Sequence, residues 1–399
     1  MYKNTNYRSR PRRPGVRSYG PSRRTRKNPK QTIDPARYIK QAKPQIAADY
    51  KTEHEFADFE IHPLLKANVT AKGYIKPSEI QDKTISLGLQ GRNVVGIANT
   101  GTGKTAAFAL PILNKLMRSP GGQALIIAPT RELALQIEEQ CKLLAKSSGL
   151  SGALLIGGTP MGRQISDIRR RPRIIIGTPG RIKDHIEQGI LKLDGCDMVV
   201  LDEVDRMLDM GFINDVRMIL GKLPANHQAF FFSATISPQI NDLIETFAHD
   251  PVVVNVKNGE TSQNVHQDVV YYSGNHQKLS SLHDILIAKT VGKVIIFGKT
   301  KHGVERLGKE LDARGFKVSS LHGGKNQGQR NRALDSFRDN RINILVATDV
   351  AARGIDVKDI SHVINYDTPQ TYDDYVHRIG RAGRRADQPG YALTFVEKP

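Results

Sequence analysis

Short apolar runs alternate with longer amphipathic stretches along most of the chain after about residue 51. Six such runs lie in its N-terminal part, at 93–97, 124–128, 153–156, 173–176, 198–201 and 229–232. Several are continuously apolar and rich in β-branched residues, as expected for parallel strands that are buried on both faces. Amphipathic stretches such as 130–145 separate them. This β-α-β alternation predicts a doubly wound parallel sheet.

A second series of runs follows the polar stretch 257–264, which we interpret as a linker. Its predicted strands are 267–272, 293–297, 317–321, 343–347, 362–366 and 391–395. The sequence therefore predicts an α/β protein with two doubly wound domains in tandem, 49–256 and 265–399. Ligands of such sheets bind at the carboxyl ends of the strands, so we expect a functional cleft between the two domains.

Charge separates the first 48 residues from the rest. The chain has a formal net charge of +19, and residues 1–48 hold fourteen Lys or Arg against one acid, Asp34, which leaves +6 for the remainder. A low apolar content and many Arg, Pro and Ser predict a disordered basic tail. Interspersed Tyr2, Tyr7 and Tyr19 offer stacking for unpaired bases, which favours an accessory nucleic-acid arm over a simple solubilising tail.

The cysteine content and the hydrophobic runs indicate the cellular compartment in which the protein is expected. Cys141 and Cys196 cannot build a disulfide framework, and no Cys/His group has the spacing of a zinc site. Both lie beside apolar runs and are predicted to be core residues. No apolar stretch approaches the ~18–20 residues of a membrane span, and the N-terminus lacks a secretory h-region. We therefore expect a cytoplasmic protein with no membrane partner.

A Gly-rich loop follows the first predicted strand and precedes the helix-forming stretch 106–113. Strand, Gly-rich turn and helix are the context of a phosphate loop (P-loop), in which backbone N–H groups and a helix N-terminus hold phosphates. Lys104 would reach the β- and γ-phosphates of ATP, and the Thr105 hydroxyl would bind Mg²⁺. Ala98 stands where the general pattern has Gly. The predicted loop comprises Ala98, Asn99, Thr100, Gly101, Thr102, Gly103, Lys104 and Thr105.

An acidic cluster follows the strand at 198–201. Asp202 suits the coordination shell of Mg²⁺, because a hard cation prefers carboxylate oxygen. Glu203 could orient and deprotonate the attacking water. The alternative is a helix N-terminus with acids in its first turn.

Three arginines near the C-terminus, Arg378, Arg381 and Arg384, are spaced at i, i+3 and i+6. In a helix this spacing would place them on one face. A solvated basic stripe is one interpretation, and an arginine finger delivered to the γ-phosphate from another domain is the other. The spacing alone does not decide between them.

Taken in order, these motifs resemble those of the DEAD-box RNA helicases of superfamily 2, over residues 56–396. The matching positions are Phe56, Gly73, Tyr74, Pro77 and Gln81, then 98–105, 129–134, Gly157, Gly158, 178–181, 202–205, 233–235, 294–297, Thr300, Gln327, Arg330, 347–356 and 377–384. The family itself has Ala at the position of Ala98. One departure is Val204, which makes D-E-V-D of D-E-A-D; both residues are small and apolar, so we predict that ATPase activity is retained.

The resemblance implies two RecA-like domains and a role for individual residues. Gln81 would bond the adenine edge, Tyr74 would stack on the adenine ring, and Phe56 belongs to the same adenine-reading motif. Asp356 would hold the ribose, Gly354 would also contact the nucleotide, and Arg381 and Arg384 would be the arginine fingers. RNA would lie along Arg131, Gly158, Arg181, Thr300, Gly324 and Thr348. Asp205, Ser233, Thr235 and His377 would couple the ATP site to domain closure, although a plain strand-end turn also explains Ser233 and Thr235.

The resemblance implies an ATP-dependent RNA helicase that uses ATP and Mg²⁺ to close two domains on single-stranded RNA. Contacts to sugar and phosphate carry no base information, so binding would be independent of sequence, with local unwinding of short RNA duplexes. Ribosomal or mRNA ribonucleoprotein particles are candidate partners. Two alternatives stay open: an ATP-gated RNA clamp or scaffold that does not unwind, and a DNA-translocating helicase from a neighbouring branch.

Overall fold

The first of two parallel sheets is built by the apolar runs of the N-terminal part of the chain. Its strands are β1 Val94–Ile97, β2 Gln123–Ile127, β3 Gly152–Leu155, β4 Ile174–Gly177, β5 Cys196–Leu201, β6 Gln228–Ser233 and β7 Val252–Asn255. All pairs are parallel, in the order β3-β4-β2-β5-β6-β1-β7. Edge strand β7, which the sequence did not predict, buries only Val254 and so lacks the signal of a central strand.

The computed structural model describes residues 1, 33–42, 50–99, 101–256, 264–288, 291–352, 357, 359–383 and 389–398. Several predictions fall outside these residues. They concern Thr100, Gly354, Asp356, Arg384, most of the basic tail and the linker except Asn264.

Helices cover both faces of the first sheet. They are α1 Pro63–Ala71, α2 Glu79–Leu89, α3 Lys104–Arg118, α4 Arg131–Leu144, α5 Met161–Arg169, α6 Pro179–Glu187, α7 Val204–Asp209, α8 Ile213–Leu220 and α9 Pro238–Phe247. Successive strand residues point to opposite faces, so Val200 enters one apolar cluster and Val199 the other. Both clusters are closed to water, which explains the continuous apolar character of β5.

A second parallel sheet follows, in the order β10-β11-β9-β12-β13-β8. Its strands are β8 Val265–Tyr272, β9 Lys293–Phe297, β10 Val318–Leu321, β11 Ile344–Ala347, β12 Ile360–Asn365 and β13 Gly390–Glu397. Its helices are α10 Gly274–Leu286, α11 Lys301–Ala313, α12 Gln327–Arg338, α13 Asp349–Ala352 and α14 Tyr372–Ile379. Two doubly wound sheets in tandem confirm the predicted fold class, and all twelve predicted strands are present within two residues at each end.

The structure differs from the predicted disorder of residues 1–48 within residues 33–42. Pro35–Tyr38 form a 3₁₀ helix, with the Asp34 side chain accepting a hydrogen bond from the Ala36 N–H (2.9 Å). Tyr38 is buried in a core cluster of the second domain. Lys40 pairs with Gln267 of β8 in an antiparallel bridge. Sequence composition missed this segment because one buried tyrosine decides its position.

Among the helices that the structure describes, none is both long enough and apolar enough to cross a membrane.

Candidate active site

The phosphate loop joins β1 to α3. Gly101 and Gly103 have φ angles of 86° and 90°, a region that favours glycine. Ala98 is wholly buried, and its N–H donates to the Ser233 carbonyl of the neighbouring strand β6 (3.1 Å). Lys104, 6% exposed, begins α3 and folds back into the loop, with its Nζ 3.4 Å from the Ala98 carbonyl oxygen and 3.8 Å from Asp202 Oδ1. The lysine therefore lies between the loop and the acidic cluster.

Gln81 contacts this loop directly. Its Oε1 accepts from the Ser78 N–H (2.8 Å), and its Nε2 donates to the Gly103 carbonyl (3.1 Å). The Ser78 hydroxyl donates to the Thr102 carbonyl (2.7 Å). The start of α2 thus supports the phosphate loop through the Ser78 and Gln81 side chains. The sequence missed the role of Ser78, although Ser followed three residues later by Gln is a capping-box signal.

The other two predicted adenine residues lie at the edge of the first core. The Phe56 ring is 3% exposed and its centroid lies 5.2 Å from that of Tyr74. The Tyr74 hydroxyl accepts from Gln140 Nε2 (2.9 Å). The structure thus brings the predicted pair Phe56 and Tyr74 together.

Two buried carboxylates face the phosphate loop from the end of β5. Asp202 is 2% exposed, and burial raises its pKa to about 6, with the nearby Lys104 ammonium acting in the opposite direction. Glu203 is 4% exposed and has a left-handed backbone (φ 54°), which is strained for a residue with a side chain. Glu203 Oε2 has no hydrogen-bond partner within the described chain and lies 3.4 Å from Arg206 Nε. This carboxylate is therefore held inside the site with an open acceptor.

Asp205, Ser233 and Thr235 form one hydrogen-bond network. Asp205 Oδ2 accepts from the N–H groups of Ala234 (3.0 Å) and Thr235 (3.2 Å) and from the Thr235 hydroxyl (3.4 Å). The Asp205 N–H donates to Ser233 Oγ (3.3 Å). A shift at the end of β6 would therefore move the acidic cluster, which is the geometry that coupling requires.

Val204 points away from the site. It is wholly buried in the apolar cluster that contains Met207 and Val216. The extra bulk of Val over Ala therefore fills the core and does not displace the carboxylates.

The second domain supplies the opposite wall of the site. A cavity of about 220 Å³ is lined on one side by Asn99, Lys104 and Glu203 and on the other by residues of α14 and its C-terminus. Those residues are Tyr372, Asp373, Val376, His377 and Gly380. Asp205 and Thr235 also line it, so predicted catalytic and coupling residues share one cavity.

The described arginines of the C-terminal motif have different surroundings. Arg378 binds both oxygens of Asp349 (2.6 and 2.8 Å) and the Asp367 carbonyl (2.7 Å), so it is a structural residue. The helix α14 ends at Ile379, so the helical face considered for the three arginines does not extend to Arg381. Arg381 is 4% exposed and lies with Arg206 around a small adjoining cavity.

Three predicted RNA-contact residues of the first domain come together. Gly158 lies against the Arg131 guanidinium, and its φ of +77° favours glycine at this position. Arg181 donates to the Thr159 carbonyl (3.3 Å). Burial lowers the pKa of Arg131, and the nearby Arg330 and Arg181 guanidinium groups lower it further. Clustered guanidinium groups of this kind attract a polyanion.

The corresponding residues of the second domain lie at strand ends. Thr300 caps α11 by accepting from the Gly303 N–H (3.0 Å). The Gly324 N–H donates to His322 Nδ1 (3.2 Å), and the Thr348 N–H donates to the Leu321 carbonyl (3.2 Å).

A buried ion pair joins the two domains beside these arginines. Glu132 Oε1 of α4 accepts from Arg330 Nε (2.7 Å) and lies 2.6 Å from the second guanidinium nitrogen. Gln327 Nε2 also approaches this oxygen (3.5 Å). The sequence alone assigns no role to the motif positions Gln327 and Arg330, because their partner lies 195 and 198 residues away.

Two parallel-sheet domains with a phosphate loop, a buried acidic pair and a shared cavity define a RecA-like nucleotide-driven protein. The model of the DEAD/DEAH box helicase family matches residues 78–243, and that of the helicase conserved C-terminal domain matches residues 277–386. The chain is 42% identical over 344 residues to the ATP-dependent RNA helicase CshA of Listeria monocytogenes, covering 86% of this chain and 66% of that protein. It is 41% identical over 342 residues to the DEAD-box ATP-dependent RNA helicase CshA of Bacillus subtilis, covering 86% and 69%. The chain belongs to the DEAD-box family of ATP-dependent RNA helicases.

Solved structures agree with this assignment. S. cerevisiae Dbp5 bound to RNA and ADP BeF₃ matches with a TM-score of 0.74 and 30% identity, covering 86% of this chain and 90% of that one. Mss116p bound to ssRNA and AMP-PNP matches with a TM-score of 0.78 and 28% identity, covering 88% and 76%. The chain spans about two thirds of the length of the curated relatives named above.

Proposed function

We propose that the chain is an RNA-stimulated ATPase that closes its two domains, 49–256 and 265–399, on ATP and single-stranded RNA. The observation that carries the proposal is the cavity lined by Lys104 and Glu203 of one domain and His377 of the other. A site that draws its walls from two domains is complete only when they are together. Binding of ATP and RNA to this closed state makes each favour the other.

Hydrolysis is assigned to groups already held in place. Lys104 would leave the Ala98 carbonyl, its present acceptor, to bind the β- and γ-phosphates. Glu203 would accept the proton of the attacking water, since it lines the cavity and its Oε2 accepts no hydrogen bond from the described residues. Gln81 would exchange its contacts with Ser78 and Gly103 for the adenine edge, and Tyr74 and Phe56 would form the adjoining apolar wall.

The donor set of the acidic cluster fits Mg²⁺. Asp202 is buried, and the raised pKa of its carboxyl marks a negative charge that the protein alone compensates poorly. Mg²⁺ is usually held by one or two carboxylates together with phosphate oxygens, so Asp202 and the Thr105 hydroxyl would be its protein ligands. When bound, the ion neutralises charge on the transferred phosphoryl group.

Three further roles rest on the resemblance to the family. Arg381 and Arg384 would stabilise the transition-state charge from the second domain, Asp356 would hold the ribose, and Gly354 would also contact the nucleotide. His377 would sense closure through the Asp205–Thr235 network, because all three line one cavity.

RNA would lie along Arg131, Gly158 and Arg181 and continue along Thr300, Gly324 and Thr348 of the second domain. Contacts of this kind address the sugar-phosphate backbone, so the proposed substrates are single strands and short duplexes of any sequence. Ribosomal or mRNA ribonucleoprotein particles follow as proposed settings, in a cytoplasm where Cys141 and Cys196 stay free and buried. The basic tail is proposed to add RNA affinity without sequence preference.

The deciding experiment measures ATP turnover with and without single-stranded RNA, with DNA of equal length in parallel. We expect RNA to raise turnover strongly, DNA not to, and Glu203→Gln to abolish turnover while keeping ATP binding. Turnover that RNA does not change would refute the proposal. RNA retention without displacement of a short duplex would identify a clamp, and stimulation by DNA would identify a DNA-translocating enzyme.

A further inference from the structure

The segment 33–42, here called the clasp, precedes the first domain in sequence yet packs on the second. Tyr38 is 2% exposed, and its ring centroid lies 4.7 Å from that of Tyr375 on α14. Lys40 exchanges two backbone hydrogen bonds with Gln267 on edge strand β8 (3.0 and 2.8 Å). The clasp therefore adds an antiparallel bridge to an edge that the parallel sheet leaves open.

One residue of β8 joins the clasp to α14. Gln267 binds Lys40 through its backbone, and its Oε1 accepts from the Tyr375 hydroxyl (2.9 Å). Tyr375 is wholly buried and Gln267 is 3% exposed, so this hydrogen bond is shielded from water. The Tyr38 ring also packs against Tyr375, at an interplanar angle of 53°.

The helix α14 is also the second-domain wall of the nucleotide cavity. Tyr372 and His377 of this helix line that cavity. The Arg37 guanidinium lies 4.2 Å from the centroid of the Tyr372 ring, within cation–π range. A residue of the clasp is therefore separated from the nucleotide cavity by one aromatic ring.

The chain is anchored again on the first domain soon after the clasp. The Tyr50 hydroxyl donates to Asp82 Oδ2 (3.0 Å), and the Glu53 N–H donates to the same oxygen (2.7 Å). Asp82 is 2% exposed and directly follows Gln81 on α2. Ala42 and Tyr50 are eight residues apart in sequence. The covalent chain between these anchors therefore spans at most about 29 Å.

We propose that the clasp positions α14 at the nucleotide cavity through Tyr38 and Arg37, and keeps the second domain within reach of the first. This inference rests on the proposed function, because it concerns the same cavity. A second connection between the domains raises the effective concentration of one at the other. When the clasp holds α14 in place, His377 does not have to be ordered on closure. This lowers the entropic cost of closure and strengthens the coupling between ATP and RNA binding.

The test compares RNA affinity with and without AMP-PNP, and KM for ATP with kcat. Tyr38→Ala is expected to reduce the factor by which AMP-PNP tightens RNA binding by about tenfold and to raise KM for ATP. Tyr38→Phe keeps the ring and should restore both values. Tyr271→Ala removes a half-exposed ring from the same strand β8 and serves as the matched control, with no change expected. A purely structural role would lower the melting temperature of Tyr38→Ala and leave the AMP-PNP factor unchanged.

A second variant guards against misfolding of Tyr38→Ala. Arg37 is exposed, so Arg37→Gln should fold normally and raise KM for ATP by about threefold, as expected for loss of a cation–π contact. An AMP-PNP factor for Tyr38→Ala that lies within experimental error of the unaltered chain would overturn the positioning role of Tyr38, and an unchanged KM for Arg37→Gln would overturn that of Arg37.

Docking of the clasp can be judged without any nucleotide. The chain contains no tryptophan, so Tyr38→Trp provides a single tryptophan that can be excited selectively at the red edge of its absorption band. A docked clasp predicts blue-shifted emission and slow quenching by acrylamide, whereas quenching as fast as in the unfolded chain would overturn the proposal. If the unaltered chain shows no coupling between AMP-PNP and RNA, the proposed function and the positioning role fail together, and this fluorescence still reports on the clasp itself.

Discussion

The buried ion pair between Glu132 and Arg330 should decide how readily the two domains close. Both side chains are almost fully withdrawn from water, at 3% and 7% exposure, and they belong to different domains. Removing one partner of a buried pair costs about 3–5 kcal/mol, because the other charge is left uncompensated. Opening the domains returns both groups to water, so this penalty falls on the closed state alone.

The loss of closure free energy is expected to differ between Glu132→Gln and Arg330→Gln. Glu132 lies beside two guanidinium groups, since it pairs with Arg330 and its charge also acts on Arg131. In Glu132→Gln these positive charges lose their counter-charge, whereas in Arg330→Gln the carboxylate keeps Arg131 as a neighbour. We expect Glu132→Gln to weaken closure by about 3 kcal/mol, roughly a hundredfold in the RNA concentration needed for half-maximal ATPase stimulation, and Arg330→Gln to act less.

The assay is a double-mutant cycle on that RNA concentration, with Glu132→Gln, Arg330→Gln and the double variant. The expected coupling energy is about 2 kcal/mol or more, as for other close buried charge pairs. Glu138→Gln is the matched control on the same helix, because its pair with exposed Lys142 is worth at most about 0.5 kcal/mol. A coupling energy no larger than the effect of the control would refute the role of the Glu132–Arg330 pair in domain closure.

Three further variants test the site itself. Burial raises the pKa of Asp202 to about 6 from 3.8, so this group destabilises the folded chain increasingly as pH rises from about 4 to 6. We therefore expect Asp202→Asn to raise the melting temperature of the nucleotide-free protein at pH 7.5, to flatten that pH dependence and to abolish ATPase activity. An unchanged melting profile would contradict this prediction. Val204→Ala should lower the unfolding free energy by about 1–3 kcal/mol, because Val204 is wholly buried, and leave the ATPase rate per folded molecule unchanged; ATPase activity that appears only in the alanine variant would show that Val204 blocks hydrolysis. In Gly103→Ala the new Cβ would lie 2.4 Å from Gln81 Nε2 at a φ of +90°, so affinity for a fluorescent ATP analogue should fall by more than tenfold, and normal affinity would argue against the described loop geometry.

Local patterns were sufficient for the strands and for the phosphate loop. The central strands, such as β5 and β6, are apolar runs buried on both faces, so their signal lies in adjacent residues. The loop at 98–105 needs glycine at Gly101 and Gly103 because of their backbone angles, and this demand is visible in the sequence. β7 escaped prediction because it buries too little to carry such a signal.

Roles that depend on a distant partner were not predictable from spacing. Arg378 and Arg381 are identical residues at a regular spacing, yet Arg378 forms an ion pair with Asp349, which lies 29 residues earlier. Ser78 supports Thr102 across 24 residues, although its capping signal was present. The sequence shows which polar groups are present at these positions. The partner that each group contacts depends on the order of the strands in the sheet.

The sequence by itself determined two doubly wound domains, an ATP-binding loop and an acidic pair. These features depend on the hydrophobic periodicity and backbone conformation of neighbouring residues. Only the tertiary structure decided that Glu132 meets Arg330, that Val204 faces the core and that Tyr38 packs on Tyr375. Those contacts join elements far apart in the chain. Their existence follows from strand order and domain placement, which no window of adjacent residues contains.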